Sequence, residues 1–182
     1  LELDPALLGS YLNLGQVYYQ TGKTDQATTE YEAVLAKEPK ALQAHMILDI
    51  IHEQKKEYAK ATARYEKILA LNPKFAPAAN NLAWLYAEAG DHLPTALKLA
   101  QAAQLALPER PEVLDTLGFV YLKQGQPTLA IAPLREAVQG APGNPVYRAR
   151  LGAAYARAGQ SDAARRELEQ ALKTSATFPG AE

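Results

Sequence analysis

The chain of 182 residues is 48% hydrophobic and 21% charged, a composition that suits a folded chain rather than a disordered one. Its 19 basic and 20 acidic side chains give a net charge of −1, which supplies no bulk pull toward nucleic acid or an anionic membrane. The lack of cysteine excludes disulfides and thiolate metal sites, and no apolar run approaches the ~20 residues that a membrane-spanning helix requires.

One spacing organises the sequence. Leu14, Leu48, Leu82, Leu117 and Leu151 fall 34, 34, 35 and 34 residues apart, and a fixed period of this size marks stacked supersecondary units. The chain starts at Leu1 rather than Met, and Leu1-Glu2-Leu3-Asp4-Pro5 matches Leu69-Ala70-Leu71-Asn72-Pro73, which closes the second unit. Residues 1–7 are therefore expected to be the tail of an upstream unit. Five units follow, over 8–41, 42–75, 76–110, 111–144 and 145–178.

The first unit carries Leu14-Gly15, Tyr18, Gly22, Ala27, Tyr31, Val34 and Pro39, and the second Leu48-Asp49, His52, Ala61, Tyr65, Ile68 and Pro73. The third carries Leu82-Ala83, Tyr86, Gly90, Ala96, Ala100, Ala103 and Pro108, with one extra residue somewhere between Asp91 and Thr95. The fourth has Leu117-Gly118, Tyr121, Gly125, Ala130, Leu134, Ala137 and Pro142; the fifth has Leu151-Gly152, Tyr155, Gly159, Ala164, Leu168 and Ala171. Within each unit apolar positions recur at three- and four-residue steps, the period of an amphipathic helix. Gly22, Gly90, Gly125 and Gly159 sit where one helix stops and the chain reverses. Pro77, Pro94, Pro111, Pro127 and Pro145 lie near helix starts, where a missing amide hydrogen costs little. Each unit reads as a helical hairpin. Pro133 conflicts with this, because it falls inside the second helix of unit four and predicts a kink beside Leu129. From Thr174 onward the helical periodicity is lost, which predicts a frayed end.

This pattern resembles the tetratricopeptide repeat, a helix–turn–helix family, over nearly the whole chain. The resemblance implies an all-α fold, a right-handed α-solenoid of about five hairpins forming a single domain over 1–182. The small residue after the leucine (Gly15, Asp49, Ala83, Gly118, Gly152) then lets the helices of a hairpin approach closely. The alanine of the second helix (Ala27, Ala61, Ala96, Ala130, Ala164) is expected to serve the opposite side of that contact, with Tyr18, Tyr86, Tyr121 and Tyr155 filling space between hairpins.

In this family the first helices line a concave groove that binds extended or helical peptide segments. Aligning the units places Gln16, Met46, Ile47, Ile50, Asn80, Asn81, Trp84, Asp115, Phe119 and Arg150 on that surface. The apolar stripe suits an amphipathic partner helix or apolar peptide, with Asn80 and Asn81 available for backbone amides. The same aromatics at helical spacing also suit simple packing between hairpins. A carboxylate clamp for acidic chaperone tails is disfavoured, since Asn81 and Asn13 match in type but Met46, Ile50, Glu112 and Thr116 flank them in place of the cations.

His45, Asp49 and His52 share one helical face and form the nearest approach to a metal-ligating set. They occupy the positions of Tyr11, Gly15 and Tyr18, so a polar replacement for packed aromatics outweighs a site with no nearby fourth ligand. No phosphate loop, nucleophile elbow or zinc-protease helix is present, and no catalytic residue, metal or cofactor is implied.

The expected function is thus a non-catalytic scaffold binding a protein or peptide partner, without nucleic acid or membrane insertion. A self-assembling array joined through its exposed ends is the alternative, as is the docking arm of a larger enzyme. Asn80-Asn81-Leu82-Ala83-Trp84-Leu85-Tyr86, Asp115-Thr116-Leu117-Gly118 and Ala163-Ala164-Arg165-Arg166-Glu167-Leu168 resemble bacterial repeat proteins associated with exopolysaccharide production and envelope sorting. The compartment is left open by the sequence.

Overall fold

The computed structural model describes residues 5–38, 41–54 and 58–175. Among these residues the chain forms ten α-helices and no strand. They are α1 (Pro5–Gln20), α2 (Thr24–Lys37), α3 (Leu42–Gln54), α4 (Tyr58–Leu71), α5 (Ala76–Ala89), α6 (Leu93–Ala106), α7 (Pro111–Lys123), α8 (Pro127–Gly140), α9 (Pro145–Arg157) and α10 (Ser161–Ser175). Odd- and even-numbered helices are the first and second helices of the five units read from the sequence. The reading of residues 1–4, of Pro39 and of 176–182 falls outside the described residues. Helix α1 begins at Pro5, within the segment assigned to an upstream tail, and α10 continues through Thr174 to Ser175.

The chain divides into two compact units, residues 1–78 and 79–182. In the first, Ala27, Tyr31 and Val34 of α2 and Ala44, Leu48 and Ile51 of α3 form one fully buried cluster, flanked by Tyr11, Leu12 and Tyr18 of α1. In the second, α5 and α6 supply Ala83, Ala87, Ala96 and Ala100, against which α7 lays Leu117 and Val120. A further cluster joins Leu122 of α7 and Ala130, Leu134 and Val138 of α8 to Leu151 and Ala154 of α9. Helices α3, α7 and α9 therefore each use one apolar pair, three residues apart, to pack on the hairpin before them.

The turns follow the sequence. Gly22, Gly90, Gly125 and Gly159 all have φ between 73° and 78°, the left-handed conformation in which a side chain is strained. In the first, fourth and fifth hairpins the second helix starts two residues after this glycine, at Thr24, Pro127 and Ser161; in the third hairpin it starts three residues after Gly90, at Leu93. The extra residue is absorbed at His92, the one non-glycine with positive φ among the described residues (47°), and its ring lies 5.0 Å from that of Tyr86. At the starts, Pro111, Pro127 and Pro145 are the first residues of α7, α8 and α9. Asn144 caps α9 by accepting from the Val146 amide at 2.9 Å. Helix α8 runs from Pro127 to Gly140 with Pro133 inside it.

The small residue after the leucine sets the approach within a hairpin, and in the fifth hairpin the backbone carbonyl oxygen of Ala164 lies on the opposite side of that contact, 3.3 Å from where a methyl on Gly152 would stand. A methyl group on Gly118 would stand 2.8 Å from Leu134 Cδ2, one on Gly152 would stand 2.7 Å from Leu168 Cγ, and one on Gly15 would stand 3.0 Å from the Tyr31 ring. The facing side chain is thus four residues beyond the alanine, one helical turn further on.

Candidate functional site

The first helices carry all ten residues expected on the groove. In the unit of residues 1–78, Met46, Ile47 and Ile50 of α3 are half-buried. Ile47 also packs against the α2–α3 core. Gln16 of α1 accepts a hydrogen bond from the Tyr31 hydroxyl at 3.4 Å, which turns its carbonyl oxygen toward the second helix. His45, Asp49 and His52 are buried, and the Asp49 carboxylate lies 3.9 Å from the Arg64 guanidinium of α4. Among the described residues no group of three or more His, Cys, Asp or Glu is arranged to hold a metal ion.

In the unit of residues 79–182 the structure assembles a cluster. Asp115 of α7 is buried and forms an ion pair with Arg150 of α9, 35 residues further on. The same guanidinium stacks over the Phe119 ring, 4.3 Å from its centroid. From the next turn of α7, Lys123 Nζ sits 5.0 Å over the same ring. Lys123 Nζ also donates to the Glu88 carbonyl oxygen of α5 at 3.4 Å and lies 3.9 Å from the Glu88 carboxylate. Phe119 is half-buried, resting on the α5–α7 core while two cations frame its ring. On α5, Asn80 is buried and donates to Asn81 Oδ1 at 3.1 Å, and Asn81 and Trp84 are half-buried.

Burial pushes the Asp115 carboxyl up to about 6, although the Arg150 charge and hydrogen bond act in the other direction. Burial, and then the nearby Asp115 charge, pushes the Tyr147 phenol up as well. The acid is therefore held ionised at neutral pH against an unfavourable setting, and Arg150 is the group that permits it.

Sequence reasoning placed Asp115, Phe119 and Arg150 on the surface but did not join them, and it missed Lys123 and Glu88. The signal was available. Glu88 and Lys123, like Asp115 and Arg150, are opposite charges 35 residues apart, so the repeat itself brings them together. Arg157 repeats the spacing by donating to the Leu122 carbonyl at 3.2 Å.

Family models described as tetratricopeptide repeat match residues 12–74, 65–98 and 121–179. A comparison of the sequence with curated proteins finds no match. Solved structures of similar fold include MamA (41 to the end) from Desulfovibrio magneticus RS-1, at TM-score 0.77 and 18% identity over 95% of this chain and 97% of that chain. The Pseudomonas aeruginosa pilF structure is similar at TM-score 0.75 and 23% identity, over 92% of this chain and 76% of that one. TTC0263, a thermophilic repeat protein of Thermus thermophilus, is similar at TM-score 0.73 and 22% identity over 96% and 94% of the two chains.

Proposed function

The chain belongs to the tetratricopeptide repeat family, and from that premise we propose that it is a non-catalytic scaffold that takes a peptide or helix of a partner protein along its first helices. The observation that carries this reading is the Asp115–Arg150–Phe119 cluster. Arg150 is fixed by a buried carboxylate and in turn braces the partly exposed Phe119 ring, so an aromatic anchor is held still before any ligand arrives. Pre-ordering a contact side chain removes part of the entropy that binding would otherwise lose. Trp84 and Asn81 on α5 supply a second aromatic and a carboxamide for backbone groups. Met46, Ile47 and Ile50 offer a separate apolar face on α3.

The test is affinity capture from the source organism with the intact chain and with a Trp84→Ala/Phe119→Ala double variant, folding of both being checked by circular dichroism. A partner held by the intact chain and lost by the variant supports the reading; an anchor aromatic contributes about 2 kcal/mol, close to thirtyfold in affinity. Recovery of the same partners by both proteins removes Trp84 and Phe119 from the site.

A further inference from the structure

The second helix of the fourth hairpin departs from its four counterparts at three positions outside its core. Aligned on the shared alanine, the position before it holds Gln26, Lys60, Thr95 and Ala163 in the other hairpins and Leu129 in α8. Three residues after the alanine stand Glu30, Arg64, Leu99 and Glu167, against Pro133; six after it stand Ala33, Lys67, Ala102 and Gln170, against Glu136. Helical spacing puts Leu129, Pro133 and Glu136 on one face of α8. Leu129 is 55% exposed, and proline is the residue least suited to a helix interior. The core calls for neither, since α8 packs through Ala130, Leu134 and Val138. Local rules broken together at one place mark a surface kept for function.

That face forms one wall of a hollow of about 220 Å³. Leu114 and Leu117 of α7, both buried, and the half-buried Tyr121 line it as well, and Gln104 of α6 completes it. Glu136 is exposed and forms no ion pair among the described residues. Pro133 brings no amide hydrogen to the Leu129 carbonyl, which leaves an acceptor available on the same face. The hollow thus combines apolar walls with one uncompensated negative charge and two further acceptors, the Leu129 carbonyl and the Gln104 carboxamide oxygen. A ligand that matches it has a slim apolar stem and a cationic tip.

We propose that this hollow receives a lysine side chain of a partner protein, its methylene stem against Leu117, Tyr121 and Leu129 and its ammonium at Glu136. Lysine buries its stem along apolar surface while its head keeps polar company. The ammonium carries three N–H donors on a compact head, and the carboxylate, the carbonyl and the carboxamide are three acceptors; the flat fork of arginine suits two oxygens of one group. The Tyr121 ring adds a π-face for the cation. The site shares no residue with the surface proposed above for a peptide or helix, and it stands without that reading.

Two-dimensional amide NMR of the isotope-labelled 182-residue chain, titrated with the blocked tripeptide acetyl-Gly-Lys-Gly-amide, tests this. Amides of residues 129–136 shift saturably with a Kd of about 1 mM, as one exposed ion pair and a short stem allow. The norleucine tripeptide, which has the stem and no ammonium, and the arginine tripeptide each bind about tenfold more weakly. Glu136→Gln weakens lysine binding about tenfold, and Pro133→Ala, which returns an amide to the Leu129 carbonyl and alters no charge, weakens it about threefold. Circular dichroism checks that both variants stay helical; Leu129→Ser, at an exposed position, removes the stem contact and replaces Pro133→Ala should that change disturb α8. Equal affinity for the norleucine or the arginine tripeptide overturns the proposal. So does undiminished lysine binding by Glu136→Gln or by Pro133→Ala, the mark of a bare surface attraction, or no shift in residues 129–136 at roughly tenfold that concentration.

Discussion

Arg150 reaches back one hairpin to neutralise Asp115, and it does so where α7 and α9 meet. Removing the guanidinium would strand a buried carboxylate. Arg150→Ala should lower unfolding stability by about 3 kcal/mol at neutral pH. Asp115→Asn should cost less, because it leaves a neutral group of the same shape. Urea unfolding of both variants checks the order; equal losses would mean that the charge is not what matters.

The same pair fixes a pH dependence. Asp115 has a folded value of about 6, above its unfolded value near 4. Between these limits the folded chain holds more protons than the unfolded one. Its contribution to stability is thus full at low pH and is lost as pH rises toward 6, with a slope of up to about 1.4 kcal/mol per pH unit. Subtracting the Asp115→Asn profile from the parent's, by urea midpoints from pH 4 to 7, should isolate that fall. A flat difference would show that Arg150 outweighs burial.

The close approach within a hairpin gives a coupling prediction. Gly118→Ala puts a methyl against Leu134 and should destabilise by about 1–3 kcal/mol. In a Leu134→Ala background the same change should cost much less, since the third hairpin already pairs Ala83 with Ala100 at these positions. A double-mutant cycle measures this, and additive losses would deny that the two positions compete for one space.

Pro133 lacks the amide hydrogen that a regular helix would direct at Leu129. Pro133→Ala should raise stability by about 1–3 kcal/mol, read as an increase in Tm. No gain would mean that α8 has already adapted to the ring. At the third turn, His92→Gly should add about 1 kcal/mol by relieving a left-handed residue that carries a side chain.

The hairpins, their turn glycines and their starting prolines were legible because each rests on local backbone preference or on a three-to-four-residue period. The location of the extra residue at His92 was bracketed but not resolved, since several backbone paths across five residues satisfy the same spacing. The side chain that faces Gly118, Leu134, was not picked out beside the alanine one turn earlier, because both lie on the same side of α8 and periodicity cannot rank them. Burial of Asp115 was invisible for a different reason: a carboxylate in a helix reads as a solvated face until its cation, one hairpin away, is brought over it.

The pairings Gly15 with Tyr31, Gly118 with Leu134 and Gly152 with Leu168 lie wholly inside single hairpins. A hairpin transplanted as a block therefore carries its own fit with it. Exchanging only one helix would not: α3, with Asp49 in place of that glycine, would drive a carboxylate into Leu134 if set opposite α8. Recombination that shuffles this chain can cut at the loops between hairpins, but the turn within each one is a seam that should stay closed.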